Sequence, residues 1–520
     1  MRDWTDLPPS WTVASLDCLA KINPRSLDAR PEIDSALVHF VPMRAVSEEF
    51  GGIDVSACRP FGEVKKGYTA FQEGDALFAK ITPCMENGKL ALVPKLDNGI
   101  GFGSTEFHVV RARSDVEPKW LAYFLSQAEF RKFARRHMTG TAGQLRVATT
   151  WLAATRLPIA PTEEQTRIVD KLEELLSDLD AGVAELKAAQ KKLAQYRQSL
   201  LKAAVEGRLT ETWRAQHGNT NASEESGAQL LTRILRERRA RWETKQLVKF
   251  EAQGTAPARS WQDKYPNPMR PKTNGLPALP ASWTWTTVDE LSPDDLANGR
   301  SVPTASAGAK VLRLNALKSG AVDLTKFKLG AWSEGEAKQF AVADGDLLIA
   351  RGNGSLKLVG RAGLVAGVSE QVAYPDTMIR LRLVELVVRP AWIGLLWDSA
   401  RTRSHIEQQA RTSAGIYKIS QPDIVSVVVP VPPLAEQDHL LAEIAREVEQ
   451  IVRTEQSIET GLRQSVAQRK NILQAAFSGQ LVPQDPNDEP ASVLLARIRA
   501  ERAAQETNGA RSRLKKKAAA

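Results

Sequence analysis

Leu172, Leu179, Leu186, Leu193 and Leu200 recur every seven residues through Thr162–Gly207, and a sustained seven-residue apolar stripe predicts a coiled-coil helix. About forty-five helical residues would span roughly 65–70 Å at 1.5 Å each, too long for one small domain to cover. The helix has to lie against another helix, and the chain supplies one. Adding 272 to those positions gives Ile444, Ile451, Ile458, Ser465 and Ile472. The same offset carries Pro158-Ile-Ala-Pro-Thr-Glu-Glu-Gln165 onto Pro430-Val-Pro-Pro-Leu-Ala-Glu-Gln437, and Leu200-Leu-Lys-Ala-Ala-Val-Glu-Gly207 onto Ile472-Leu-Gln-Ala-Ala-Phe-Ser-Gly479. One chain therefore carries two copies of a module.

Each copy opens on a Trp-containing phrase, Leu7-Pro-Pro-Ser-Trp-Thr12 and Leu279-Pro-Ala-Ser-Trp-Thr284. Short apolar runs, Gly and Asp turns and one helical patch follow, the text of an α+β domain. Thr105–Arg113 and Thr377–Leu383 alternate in the same phase as strands, and Pro118–Arg131 and its echo Pro390–Arg403 read as amphipathic helices with Pro at the start. Together these predict two similar globular domains separated by two long helices that form an antiparallel coiled coil, a pseudo-two-fold internal repeat. The expected boundaries are 1–158 and 279–430 for the globular domains and 159–210 and 431–480 for the long helices. Residues 211–278 form a charged helical segment and linker, and 481–520 a C-terminal helical segment and basic tail. Thr162-Glu-Glu-Gln165 has the spacing of a capping box, and Gly207 and Gly479 stand where left-handed helix stops are needed. Leu230–Trp242 is a basic amphipathic patch echoed by Leu494–Arg502, and Arg511–Lys517 reads as a disordered tail.

Composition narrows the chemistry. With 70 Lys+Arg against 61 Asp+Glu the net charge is +9, which favours a polyanionic partner. Cys18, Cys58 and Cys84 lie far apart and the six histidines have no paired spacing, so neither a disulfide framework nor a metal site is expected. With no signal-like start and no apolar run of about 18 residues, the expectation is a cytoplasmic protein with no membrane partner. No Gly-x4-Gly-Lys-Ser/Thr loop occurs, and Gly101-Phe-Gly103 lacks its third glycine. Neither Leu7-Pro-Pro-Ser10 nor Val431-Pro-Pro-Leu434 supplies the Asn/Asp-Pro-Pro-aromatic tetrapeptide of adenine methyltransferases, and the residues after Pro375-Asp376 lack the lysine of a nuclease motif. Catalytic residues and bound cofactors are not expected here.

What the globular domains do carry is polar and basic side chains on Gly-punctuated loops. Glu73–Lys89 runs a strand into a loop offering Lys80, Thr82, Asn87 and Lys89, while Asp344–Lys357 offers Arg351, Asn353, Ser355 and Lys357. A second loop precedes each long helix: Thr139–Arg146 with Thr141, Gln144 and Arg146, and Arg411–Lys418 with Thr412, Ser413, Tyr417 and Lys418. Arg and Lys suit guanine edges and phosphates, Asn can bind adenine bidentately, Ser or Thr serves either, and small residues let backbone N–H groups approach phosphate. The scaffold repeats while the loop text changes, the pattern expected of two domains that read different sequences.

These residues resemble the specificity subunits of type I restriction–modification systems. The resemblance rests on Gly74–Lys89, on the Gly-Thr-Ala-Gly-Gln loop at Gly140–Gln144, on the Pro-rich lead into Glu164-Gln165 and Glu436-Gln437, and on the two-copy layout of nearly the whole chain. It implies two target recognition domains, each reading half of a split double-stranded DNA site, with the coiled coil setting the gap. It also implies two methyltransferase subunits and restriction/translocase subunits as partners, bringing S-adenosylmethionine, ATP and Mg on those subunits. A stand-alone DNA-binding protein or a coiled-coil scaffold is the alternative.

Overall fold

The computed structural model describes residues 4–24, 31–48, 50–141, 143–217, 225–293, 296–318, 320–383, 388–413 and 415–518. The chain divides into two compact units, Met1–Lys187 with Ile458–Ala520, and Ala188–Ser457. Each holds one globular domain and a part of both long helices.

In the first unit, strands Ala20–Ile22, Phe107–Ala112, Ala76–Ala79 and Leu90–Leu92 make an antiparallel sheet in that order. A second sheet has the order Cys58–Pro60, Leu37–Val41, Ile100–Gly103 and Thr69–Gln72, with one parallel pairing at its centre. Helix Pro118–Ser126 starts on proline, as its missing N–H allows, and buries Trp120 completely. The Trp120 ring lies 5.4 Å from Trp11 and 4.6 Å from Phe477, and its Nε1 donates to the Pro158 carbonyl at 3.2 Å. The buried Asp75 carboxylate is closed off by a bidentate pair with Arg111 at 2.7 and 2.8 Å.

The second unit repeats these devices on different strands. Its main sheet has six strands, and a three-stranded sheet lies beside it in sequence. Trp392 is buried 6.0 Å from Trp283 and donates to the Pro430 carbonyl at 2.9 Å, and Asp346 pairs with Arg382 at 2.6 and 2.7 Å. Core and anchor repeat at an offset of 271 or 272 because both must bury the same aromatic wedge against the same helix root.

The long helices run Thr162–Val205 and Leu434–Ala476. In the first unit Asp180 pairs with Arg469, and a Cβ at Gly461 would lie 3.1 Å from Leu186 Cδ1. In the second, Tyr196 Oη donates to Glu447 Oε2 at 2.8 Å and Trp213, just beyond the first helix, stacks 5.3 Å from His439. One number rises as the other falls in each unit, so the helices are antiparallel. Leu172, Leu200, Ile444, Ile451 and Ile458 are buried as the stripe requires. Tyr196, between Leu193 and Leu200, is exposed, and its hydroxyl rather than its ring makes the bond.

Both helices end on glycine at positive φ, +69° at Gly207 and +73° at Gly479, as expected of left-handed stops. Each also fits under a proline of the neighbouring repeat. A Cβ would meet Pro280 Cγ at 2.6 Å from Gly207 and Pro8 Cγ at 2.3 Å from Gly479. The patch around Leu230 and its echo around Leu494 lie on helices Gly227–Ala252 and Ala491–Ala518. Leu230 and Ile234 are buried in the second unit, Leu494, Leu495 and Ile498 in the first. The backbone stays helical to Ala518 where a disordered tail was expected, in line with the helix-forming Ala, Arg, Lys and Leu of that stretch.

The expected capping box at Thr162 is not formed. The threonine is already the first helical residue and its hydroxyl donates to the Asp115 carbonyl at 3.1 Å. Gln165, fully buried, donates to the Ala160 carbonyl at 2.8 Å and accepts from Glu117 N–H at 3.0 Å. Its counterpart Gln437 donates to the Pro432 carbonyl and accepts from Arg389 N–H, both at 2.8 Å. A buried amide with both ends satisfied fixes the angle at which each helix leaves its domain.

Candidate nucleic-acid interface

The two loops singled out in each domain are far apart in sequence and adjacent in space. In the first unit Lys80 N–H donates to the Glu106 carbonyl at 2.9 Å, and Val147 N–H donates to the Lys80 carbonyl at 2.8 Å. Thr82 then sews the loops together: its Oγ1 donates to the Gly143 carbonyl at 3.3 Å and accepts from Leu145 N–H at 3.1 Å. The hairpin itself pairs Thr139–Thr141 with Gln144–Arg146. Gly140, at φ +138°, allows the close crossing, since a Cβ there would lie 2.6 Å from the Gln144 carbonyl.

The second unit uses the same backbone scheme. Arg351 N–H donates to the Thr377 carbonyl at 2.8 Å and Ile419 N–H to the Arg351 carbonyl at 3.0 Å. Gly352 and Asn353 pair with Lys418 and Tyr417, and that strand pairs back to Arg411–Ser413. Lys80 corresponds to Arg351 and Arg146 to Lys418. The frames match, and the side chains presented on them do not.

Of the residues proposed from sequence, Asn87, Thr141 and Gln144 are exposed in the first unit, and Arg351, Lys357, Thr412 and Lys418 in the second. Asn87 donates to Glu48 at 2.8 Å. Asn353 is partly held by its own turn, accepting from Ser355 N–H at 3.0 Å, and Tyr417 packs partly on the core. The Ser413 side chain, like Ala142 and Ala414 at the hairpin tips, lies outside the described residues. Lys89 has a different role from the one expected: its ammonium donates to the Met43 and Val46 carbonyls at 3.2 and 2.8 Å, so its charge is turned inward. Ala79 N–H donates to the Lys89 carbonyl and Ala350 N–H to the Arg361 carbonyl, so Arg361 rather than Lys357 is its counterpart. The neighbouring basic side chains Arg131, Lys132, Arg135 and Arg136 divide likewise. Arg131 is half-buried and donates to the Ser126 carbonyl, Arg135 pairs with Glu86, and Lys132 and Arg136 are exposed.

Sequence reasoning missed the partner of Arg146. Its guanidinium makes two 2.9 Å bonds to Glu106, holding that carboxyl below its usual range, with Lys80 adding to the effect. A depressed carboxylate stabilises above its unfolded value, near 4.5, and that support is lost as pH falls through the lower folded value. Glu106→Gln is therefore expected to lower the melting temperature relative to the parent at pH 7, with the gap closing in melts below about pH 4. A gap that stayed constant with pH would remove the ion pair from the account. Beneath the pair, burial pushes the His108 imidazole below its ordinary value.

One constellation has the composition of a thiol catalyst and lacks its geometry. Cys58 Sγ lies 3.9 Å from His39 Nδ1, and Asp97 Oδ2 is 3.6 Å from His39 Nε2. Val55 O sits 2.7 Å from that same Nδ1, and a carbonyl only accepts, so Nδ1 carries the proton and is no base for the thiol. Among the described residues no group of three His, Cys, Asp or Glu stands together as a metal site, and no helix is long and apolar enough to cross a membrane.

Two modules that hold unlike side chains on one frame define a two-headed recognition protein. No protein-family model matches the chain. Among curated proteins it is similar to the type I restriction enzyme EcoEI specificity subunit of Escherichia coli, 27% identical over 489 residues, 84% of this chain and 78% of that one. The EcoKI specificity subunit of Escherichia coli strain K12 is 30% identical over 361 residues, 67% of this chain and 64% of that one. The EcoAI specificity subunit of Escherichia coli is 39% identical over a shorter stretch of 176 residues, 34% and 29% of the two chains. A solved chain, from work on complex assembly and conformational transition of the type I R-M system, shares the fold with a TM-score of 0.60, 18% identity and coverage of 91% of this chain and 99% of that one. The curated homologues of this chain are thus type I restriction enzyme specificity subunits.

Proposed function

We propose that this chain is the non-catalytic sequence-reading subunit of a type I restriction–modification complex, each globular domain contacting one half of a split double-stranded DNA site. The observation that carries this is the pair of loop frames. Lys80–Thr82 against Leu145–Val147 and Arg351–Asn353 against Tyr417–Ile419 share their backbone bonds and differ in side chains. Exposed Gln144 and Asn87 suit base edges, while Lys80, Arg351 and Lys418 suit guanine or phosphate. Displaced counterions would then make binding fall steeply with salt. The long helices, of 44 and 43 residues, set the gap between half-sites and dock two methyltransferase subunits. Restriction/translocase subunits join that assembly, and S-adenosylmethionine, ATP and Mg belong to the partner subunits.

The test is a strand-resolved map of N6-methyladenine in cells with and without this gene. A split motif of constant gap that vanishes on deletion is expected, and unchanged methylation would count against the proposal. Within that map Gln144→Ala should relax one half-site only, by about tenfold or more for a lost base contact, and Thr82→Ala, which unties the two loops, should weaken reading of that same half-site. If both halves changed together, independent reading would be wrong.

A further inference from the structure

A cavity of about 330 Å³ opens beside the first domain's loops, at the low end of small-molecule pockets. Phe61, Tyr68, Phe102 and Phe107 line it, with Lys65 and Lys80 among the other walls. The aromatic side is built firmly: Phe61 and Phe102 lie 5.8 Å apart, and Phe102 and Phe107 are buried. Tyr68 is the exposed member, its ring set edge-on to Phe40 at 5.0 Å. Lys65 is paired with Asp34 at 2.6 Å, whereas the Lys80 ammonium makes no hydrogen bond or ion pair among the described residues. The wall continues into the interface. Lys80 is also the residue whose backbone joins the two loops. Asn23, another lining residue, lies 3.1 Å from His108 Nδ1, whose ring bonds the Val147 carbonyl at 2.8 Å through Nε2.

Aromatic surface with an ammonium at its edge that makes no hydrogen bond, though its charge reaches Glu106, suits a planar aromatic anion, the base stacking and the phosphate meeting the charge. A simple hydrophobic void would have no use for Lys80, and an anion site alone would have no use for four rings. We infer that this cavity receives one nucleotide, its base against Tyr68 and Phe61 and its phosphate at Lys80. The inference deepens the recognition proposal and rests on it for the first of two sources, an unpaired nucleotide of the bound strand. The second source is a free mononucleotide.

The test uses the full chain with its target duplex, stepping a nucleotide opposite an abasic site through the half-site, and separately titrates adenosine monophosphate alone. For a strand source, one position should bind about tenfold tighter than the paired duplex, and Tyr68→Ala should erase that gain. For a free-nucleotide source, no position gains, and adenosine monophosphate binds the parent but not the variant. Should Tyr68→Ala lower the melting temperature, Thr69→Phe, which fills the cavity from the adjoining residue, decides in its place. Equal behaviour of parent and variant in both arms overturns the inference. A parent chain that fails to prefer the target duplex overturns the recognition proposal instead, and the mononucleotide arm still decides the pocket.

Discussion

Glu436→Ala is expected to cost the second unit about 3 kcal/mol, and Glu164→Ala to cost the first unit about half as much. The two glutamates occupy equivalent positions at the roots of the long helices, and each accepts from a buried indole: Glu436 from Trp283 at 2.7 Å and Glu164 from Trp11 at 3.0 Å. They differ in what else they hold. Glu436 also accepts from Thr210 Oγ1 and Arg214, both at 2.6 Å, and Arg214 reaches on to the Gly207 carbonyl at 2.6 Å. Removing the carboxylate strands a guanidinium that is 22% exposed and unfastens the first helix's end from the second domain. Among the described residues the hydrogen-bond partners of Glu164 are neutral, Trp11 and Gln484, and burial pushes its carboxyl above the ordinary range. Its loss leaves neutral donors short of an acceptor and relieves a charge that burial disfavours. Hydrogen exchange over residues 430–444 and 158–172 in the two variants would check this. Equal protection losses would mean that Arg214 contributes nothing beyond the indole bond.

The same pair shows what could be read from the residues alone. Trp11, Trp283, Glu164 and Glu436 all stood in the repeated text, because a buried wedge and its acceptor keep their spacing to the helix root. Their bond was not visible, since 153 residues separate indole and carboxylate in each copy. The long helices followed from the seven-residue stripe, which is local and periodic, whereas their direction was not fixed by the leucines and rested on a two-fold relation between the two modules. The capping box failed because the same Thr and Gln spacing serves equally well to tie a helix to the domain behind it. Side-chain direction set the limit at the loops. A lysine spent on the Met43 and Val46 carbonyls is written like one offered to phosphate. Arg361 escaped notice because its loop is one residue longer than the first domain's, so that Arg351 aligns with Lys80 at an offset of 271 and Arg361 with Lys89 at 272.

Inserting three heptads into each long helix is expected to widen the gap between half-sites by nine or ten base pairs with both half-sites unchanged and methylation nearly intact. One heptad should widen it by about three base pairs and methylate poorly. Seven residues add about 10.5 Å of helix and leave the stripe of Leu172–Leu200 and Ile444–Ile472 in phase, so the antiparallel pair survives either change. DNA does not share that phase. About 10 Å along the duplex turns it by roughly 100°, carrying one half-site away from its domain, whereas three heptads add roughly 31 Å, close to the 34–36 Å of a full turn. The two domains then face the same groove positions again, with only a small overtwist to absorb. Inserting into one helix alone leaves seven residues without a facing partner and should abolish methylation. The N6-methyladenine map reads all three designs at once. A gap that stayed fixed in both paired insertions would show that the helices hold the domains without measuring the distance between their targets.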